Sequence, residues 1–188
     1  LAESETIAMS QRSRDLQSQG VDVINLSLGE PDFNTPEFIK EAAIQAVRDN
    51  YSHYPPVPGY LEVREAISAK LKRDNGAEYA PNQIVISTGA KQSLMNAVLC
   101  LVDPGDKVVV AAPYWVSYQA MIEFAEGELV PISTGVEQNF KITPEQLDEA
   151  LDYDVKAFMF SSPSNPTGGA YTADELKALG EVFKKYPN

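Results

Sequence analysis

The sequence predicts an α/β fold of three layers, in which a mostly parallel sheet carries helices on both faces. From Gln83 onward, short apolar runs alternate with helical stretches, which is the pattern of parallel strands joined by crossover helices. The chain has 188 residues, of which 44% are hydrophobic, and this is enough for a sizeable core.

Three helices and an extended arm are predicted before Gln83. Thr35-Pro36-Glu37 combines a capping hydroxyl, a proline at the first helical position and an acid in the first turn, which together favour a helix start. Asn75-Gly76 supplies a helix stop. The predicted elements are a helix over Ile7–Leu16, an arm over Val21–Leu28 that ends in a turn at Gly29–Asp32, a helix from Thr35 to about Asp49 and a helix over Leu61–Asp74.

Four strands and four helices are predicted from Gln83 onward. Thr143-Pro144-Glu145-Gln146 forms a capping box, and Thr172 with Glu175 can cap the final helix in the same way. In the predicted helix over Ala90–Leu101, one face is expected to contain Ala90, Leu94, Ala97 and Leu101. The predicted strands cover Ile84–Thr88, Lys107–Ala111, Leu129–Ile132 and Val155–Ser161, and the helices cover Ala90–Leu101, about Val116–Ala125 and the two capped segments.

The charge balance argues against two classes of partner. The chain has 27 acidic and 15 basic residues, for a formal net charge of -12. Such a chain repels a phosphate backbone and an anionic membrane surface. We therefore expect neither a nucleic acid nor a membrane as partner.

The single cysteine gives an indication of the cellular compartment. Cys100 lies in the apolar run Ala97–Leu101, so we expect a buried, inert thiol rather than a nucleophile or a disulfide partner. No secretion signal and no membrane-spanning run is found in the sequence. A reducing, cytoplasmic location is expected.

Three loops that follow predicted strands could form one binding site. Thr88-Gly89-Ala90-Lys91 joins a strand to a helix, where backbone N–H groups and the helix dipole favour an anion such as phosphate. Ala112-Pro113-Tyr114-Trp115 places aromatic rings at the carboxyl edge of the sheet, where α/β folds bind ligands. Ser162–Gly168 is a rigid turn that would fix the direction of the Asn165 amide. Together they suit a phosphorylated aromatic cofactor.

Each feature taken alone also has a purely structural interpretation. Gly89 can be present only because the turn needs a backbone conformation that glycine adopts readily. The Trp115 ring can simply pack in the core, and the sequence does not decide between packing and stacking on a ligand. The turn around Asn165 can exist without a ligand.

Other catalytic signatures are absent from the sequence. The patterns GxxxxGK[ST], GxGxxG, GxSxG and HExxH are not found, which removes support for a P-loop, a dinucleotide fold, a hydrolase elbow and a zinc protease. His53 is the only histidine. A mechanism that needs two histidines is therefore excluded, and no metal site is predicted.

Five motifs follow one another along the chain, namely Ser27–Phe33, Tyr54–Gly59 with Arg64, Thr88–Gln92, Pro113–Trp115 and Ser162–Gly168. In this order they resemble the class I aminotransferases of the bacterial aspartate aminotransferase subgroup, which are fold-type I pyridoxal-phosphate enzymes. The resemblance covers essentially the whole chain. It implies the large-domain fold of those enzymes, with pyridoxal 5'-phosphate as cofactor.

The resemblance also implies roles for the residues of these motifs. Gly89, Ala90 and Lys91 would hold the cofactor phosphate, mainly through backbone N–H groups. Trp115 would stack on the pyridine ring, and Asn165 would donate to the ring hydroxyl.

Two further residues are expected to act on the substrate and across a subunit interface. Gly29 would lie beside the substrate carboxylate, and the substrate would also meet Trp115 and Asn165. Tyr54 would reach the phosphate in the neighbouring subunit of a homodimer with shared sites. A loop aromatic that packs on Pro55 and Pro56 is the other interpretation of Tyr54.

The 188 residues lack counterparts of three groups that the family uses. These are the aspartate that pairs with the pyridine nitrogen, the Schiff-base lysine and the arginine that binds the substrate carboxylate. Lys91 does not match the lysine motif. We therefore expect no catalytic residue within this chain, and the chain alone should be inactive. Residues 1–28 would form the N-terminal arm and the start of a small domain, and residues 29–188 the first part of the large cofactor-binding domain.

The predicted function is amino-group transfer between an amino acid, by family likeness aspartate, and a 2-oxo acid. One alternative keeps the fold and the cofactor but catalyses β-elimination or ring closure. Another is a non-enzymatic fragment that binds the cofactor or a partner. Turnover that depends on a 2-oxo acid would indicate amino-group transfer, whereas release of ammonia would indicate the first alternative.

Overall fold

The computed structural model describes residues 5–26, 29 and 31–187 of the chain. Ser27, Leu28 and Glu30, which belong to the predicted arm and turn, lie outside the described residues. By its internal contacts the chain divides into two compact units. Residues 1–15 and 94–188 form one, here called the sheet unit, and residues 16–93 form the other, here called the helical unit.

The sheet unit contains three parallel strands among its described residues. Strand β1 (Lys107–Ala112) lies between β2 (Glu128–Ser133) and β3 (Val155–Met159). β1 runs in continuous register with β2, and its pairing with β3 shifts between Lys107 and Val108. Pro131 is tolerated in β2 because this strand lies at the edge of the described sheet.

Two apolar clusters lie on the two faces of this sheet. Val108 and Val110 point into one cluster and Val109 into the other, and all three side chains are 0% exposed. Alternation along one strand sends successive side chains to opposite faces. The first cluster packs on helices α4 (Ala90–Leu101) and α5 (Ser117–Phe124), and the second on α6 (Pro144–Ala150) and α7 (Ala173–Phe183). The predicted α/β fold with helices on both faces is confirmed.

Two helices of the helical unit, α2 (Glu37–Arg48) and α3 (Leu61–Asn75), carry no buried residue. They follow α1 (Glu5–Ser18), most of which belongs to the sheet unit and whose Ser10 is buried. Short 3-10 turns cover Pro81–Gln83 here and Val136–Gln138 in the sheet unit. None of the described residues between 16 and 93 is buried.

Local end signals placed most helices correctly. Gly76 ends α3 in the left-handed conformation at φ 65°, and both predicted capping boxes form, at Thr143 with Gln146 and at Thr172 with Glu175. The predicted hydroxyl cap of α2 is wrong. Pro36 itself occupies the capping position with φ -53° and ψ 142°, and no side chain caps this helix.

The predicted strand at Ile84–Thr88 is wrong for the described residues. Ile84 is extended, with φ -115° and ψ 130°, and the Ile86 N–H donates to the carbonyl of Pro58 at 3.0 Å. No described strand pairs with this segment. An extended, apolar sequence becomes a strand only when a neighbour supplies a ladder of hydrogen bonds.

The predicted burial of Cys100 is also wrong, since the thiol is exposed. The face of α4 that contacts the core contains Leu94, Met95 and Val98, and Leu101 is 55% exposed. Each residue advances about 100° around a helix, so Cys100 lies on the side opposite Val98. The run of apolar residues at 97–101 concealed which side of the helix faces the core. Within the described part of the chain, no helix has the length and apolar character needed to cross a membrane.

Candidate functional site

The turn at the start of α4 is one candidate anion site, and it lies in the helical unit. Gly89 has φ +80° and directly precedes Ala90, the first residue of the helix. The Thr88 N–H donates to Oε1 of Gln92 at 2.5 Å, which ties the turn to the helix. The first turn of an α-helix has N–H groups without intrahelical acceptors, at the positive end of its dipole. This arrangement can hold an anion.

Space at this turn is open. A Cβ added at Gly89 would meet no heavy atom within 4 Å, so glycine is required by the left-handed backbone and not by a close neighbour. Lys91 is exposed in the first helical turn. The turn therefore combines a left-handed backbone with open space around Gly89.

Gly29 and Tyr54 also lie in the helical unit, and both are exposed. A Cβ at Gly29 would meet nothing within 4 Å. The Tyr54 side chain is 104% exposed, so its ring does not pack on Pro55 or Pro56. The structure thus removes the packing interpretation of Tyr54 and leaves its phenol available to a partner.

A second candidate site lies in the sheet unit, at the carboxyl edge of the strands. β1 is followed by Pro113-Tyr114-Trp115, and β3 is followed by the loop that contains Asn165. Because β1 and β3 are adjacent and parallel, these two loops leave the same edge of the sheet. The structure therefore brings the Trp115 and Asn165 segments to neighbouring positions.

Trp115 is half-buried. It packs against the first apolar cluster, and its ring meets Tyr118 edge to face, with centroids 5.7 Å apart and an interplanar angle of 82°. Core packing therefore fixes the ring while leaving part of it accessible. Because packing holds the ring in one orientation, a flat ligand can stack on its accessible part.

Asn165 is exposed on a closed turn. The Ser164 N–H donates to the carbonyl of Gly169, and the Gly168 N–H donates to the carbonyl of Ser164, both at 2.8 Å. The Asn165 backbone N–H donates to Oγ of Ser161 at 3.3 Å. No described residue makes a hydrogen bond with the side-chain amide of Asn165, which leaves it able to bind a ligand.

A small recess lies at the same edge of the sheet, and some of its lining residues, such as Tyr171, were not singled out from the sequence. Tyr114, Tyr118 and Tyr171 line it together with Phe140 and Phe160. Burial raises the pKa of the Tyr171 phenol, although its hydrogen bond from Ile142 and the charge of Lys141 oppose this. No local sequence pattern marks Tyr171, because its position depends on chain segments about 30 residues away.

Each unit by itself contains groups of a kind that bind part of a phosphorylated aromatic cofactor. In the helical unit the start of α4 can hold an anion, and in the sheet unit the Trp115 ring is held by packing and the Asn165 amide makes no hydrogen bond with a described residue. Among the described residues, no group of histidine, cysteine and carboxylate side chains could hold a metal ion.

Comparison with known proteins decides the family. The family model for aminotransferase class I and II matches residues 21–188. The chain belongs to this family. It is 46% identical over 185 residues to the aspartate/prephenate aminotransferase of Nitrosomonas europaea, covering 98% of this chain and 47% of that protein. It is 50% identical over 184 residues to a probable aspartate/prephenate aminotransferase of Rhizobium leguminosarum, covering 98% and 46%.

Solved structures of aminotransferases resemble the chain closely. Aspartate aminotransferase from Thermus thermophilus with maleate matches with a TM-score of 0.93 and 40% identity, over 98% of this chain and 48% of that one. The aspartate aminotransferase from Rhizobium meliloti matches with a TM-score of 0.93 and 37% identity, over 100% and 47%. The chain thus spans about half the length of the relatives it matches.

Proposed function

We propose that the protein carrying this chain transfers an amino group between an amino acid and a 2-oxo acid, with pyridoxal 5'-phosphate as cofactor. The family match over residues 21–188 carries this proposal. Relatives named for aspartate and prephenate support a dicarboxylic amino acid such as aspartate as one substrate. The structural relative with bound maleate, a dicarboxylate, supports the same class.

The cofactor would be bound by residues of both candidate sites. Backbone N–H groups of Gly89, Ala90 and Lys91 would bind its phosphate, because the start of α4 favours an anion. The Trp115 ring would lie against the pyridine ring, and the Asn165 amide would donate to the ring hydroxyl. When bound, the cofactor supplies an electron sink for the reacting amino acid.

Substrate and partner roles belong to the same proposal. Gly29, Trp115 and Asn165 would bind the substrate, whose carboxylate would lie beside Gly29. Tyr54 would reach the phosphate site of a second subunit in a homodimer, which its full exposure supports. No residue of this chain is assigned the Schiff-base lysine's role.

The proposed domain arrangement and location follow from the family likeness and the composition. Residues 1–28 would form the arm and the start of the small domain, and residues 29–188 the first part of the large domain. One cysteine in 188 residues fits a reducing compartment, so the cytoplasm is the proposed location.

The proposal is tested by measuring the products of the complete protein loaded with pyridoxal phosphate. Aspartate should be converted only when a 2-oxo acid is present, with one new amino acid formed for each aspartate lost. Asn165→Ala should lower kcat/KM by about 10-fold or more, the loss expected for a hydrogen bond to a charged group. The matched control Asn96→Ala changes an exposed residue of α4 and should leave kcat/KM unchanged.

Two results would contradict the proposal. Release of ammonia without a 2-oxo acid would indicate a lyase of the same fold. Saturable cofactor binding without turnover of any amino acid would indicate a non-enzymatic binding protein.

A further inference from the structure

Tyr171 follows the turn that carries Asn165 and connects it to a separate part of the sheet unit. We propose that Tyr171 is a positioning residue, which holds the Asn165 turn (residues 161–169) against a supporting segment (residues 139–142) and so directs the Asn165 amide. This inference rests on the proposed function, because it concerns how Asn165 meets the cofactor.

Tyr171 contacts the chain on the other side of the turn in two ways. Its backbone N–H donates to Oγ of Ser162 at 3.0 Å. Its ring meets Phe160 edge to face, with centroids 5.8 Å apart and an interplanar angle of 87°. Phe160 and Ser162 come directly after β3, so Tyr171 fastens the end of the turn to its beginning. Movement of Tyr171 would therefore move the whole turn.

The Tyr171 hydroxyl reaches the supporting segment. It accepts a hydrogen bond from the backbone N–H of Ile142 at 2.8 Å. Ile142 is 4% exposed and belongs to the second apolar cluster. A buried backbone N–H is strongly disfavoured without an acceptor, so this contact resists separation of the two segments.

Lys141 makes a further contact with Tyr171, where the Asn165 turn meets the supporting segment. The Lys141 ammonium lies 5.9 Å from the centre of the Tyr171 ring and forms an ion pair with Glu175 at 2.5 Å. Glu175 also accepts from the Thr172 N–H within the cap of α7. The Tyr171 ring is thus held beside the start of α7, whose capping residue is the next one in the chain, Thr172.

The backbone of the supporting segment is unusual at the point of contact. Asn139 and Phe140 have positive φ of 53° and 56°, and Phe140 lines the recess together with Tyr171. A bulky residue in the left-handed region persists only when its surroundings hold it there. A Cβ added at Gly169 would lie 2.9 Å from the carbonyl oxygen of Asn139, so the two segments meet closely at a second place.

The test uses the complete protein with pyridoxal phosphate bound. The pH midpoint of the cofactor's absorbance change reports the environment of its ring, which Asn165 is proposed to contact. Tyr171→Phe removes only the hydroxyl that reaches Ile142. It should shift this midpoint in the same direction as Asn165→Ala but less far, by about half a pH unit. It should also weaken cofactor binding several-fold.

Three further variants separate positioning from general stability. Tyr153→Phe removes a hydroxyl from an exposed tyrosine of the same unit and should leave the midpoint unchanged. Leu147→Ala empties a fully buried site in the second cluster and should lower the melting temperature without moving the midpoint. Gly169→Ala, which forces the two segments apart, should shift the midpoint even if Tyr171→Phe fails to fold.

The outcomes distinguish this inference from the proposed function. A shift in Asn165→Ala with wild-type midpoints in Tyr171→Phe and Gly169→Ala would overturn the positioning role and leave the function intact. Equal shifts in Leu147→Ala and Tyr171→Phe would also overturn it, since they would show a loss of stability only. A wild-type protein that binds no cofactor would refute both.

Discussion

At the scale of single residues, the backbone at Gly89 is the feature on which the proposed phosphate site depends most. Its φ of +80° is accessible to glycine and unfavourable for residues with a Cβ. The surrounding space is open, so a substitution would act through the backbone alone. This separates conformational strain from steric clash, which usually occur together.

We expect Gly89→Ala to destabilise the protein without cofactor by about 1 kcal/mol, because alanine is strained in the left-handed region. Relief of this strain would rotate the peptide and misdirect the N–H groups of the turn, so pyridoxal phosphate should bind more weakly. Urea unfolding and a cofactor titration measure the two effects.

The matched control is Gly180→Ala in α7. Its added Cβ also meets nothing within 4 Å, and its φ is not positive. Alanine in a helix interior should raise stability by about 0.5 to 1 kcal/mol. Equal effects at the two positions would show that the conformation of Gly89 is not strained for alanine.

At the scale of elements, α6 and α7 show how a helix start is specified by a few neighbouring residues. In α7, Oγ1 of Thr172 accepts from the Glu175 N–H at 3.3 Å, and Oε2 of Glu175 accepts from the Thr172 N–H at 2.7 Å. Each side chain satisfies a backbone donor of the other residue. Because the partners are three residues apart, the sequence alone was enough to predict both capping boxes.

Thr172→Ala should destabilise the protein by about 1 kcal/mol, as expected for loss of an N-cap hydroxyl. Thr172→Ser keeps the hydroxyl and should retain most of the stability. The free energy of unfolding in urea compares the three proteins. Serine and alanine variants of equal stability would show that the hydroxyl does not cap α7.

Elements that depend on distant partners were predicted less well. The sequence of Ile84–Thr88 is apolar enough for a strand, yet the pairing partner of a strand is not encoded in its own residues. The side of α4 that faces the core was misplaced for the same reason, since every residue of 97–101 is apolar. The loops that carry Trp115 and Asn165 were located correctly because strand ends mark them. Tyr171 was missed, since its acceptor role depends on Ile142.

At the scale of the whole molecule, burial is distributed unevenly. The buried hydrophobic residues lie between Val98 and Val182, whereas large apolar side chains such as Phe33, Phe38 and Val57 are 87%, 75% and 96% exposed. The helical unit therefore has no buried core of its own among its described residues.

Charge pairs at the surface determine how the stability of the molecule responds to pH. Lys107 donates to Asp152 at 3.0 Å, and Lys185 donates to Asp148 at 2.8 Å. The hydrogen bond from its lysine lowers the pKa of each aspartate below its ordinary value of 3.8 and raises the pKa of each lysine above 10.5. Lys141 likewise lowers the pKa of Glu175 below 4.5.

The sign of the resulting pH dependence follows from proton binding. A carboxyl group with a lowered pKa binds fewer protons in the folded state, so its stabilisation is present above the ordinary value and is lost as pH falls through the folded value. The raised lysine values act in the opposite sense, and their stabilisation is lost as pH rises through the folded value, above 10.5. Stability should therefore be nearly constant between these limits and fall below about pH 4.

Asp152→Asn should make the acid decline shallower, and added salt should flatten it further because the pairs are exposed. Urea unfolding of both proteins from pH 3 to pH 7 measures this, and an unchanged acid slope in Asp152→Asn would show that the Lys107 pair does not contribute.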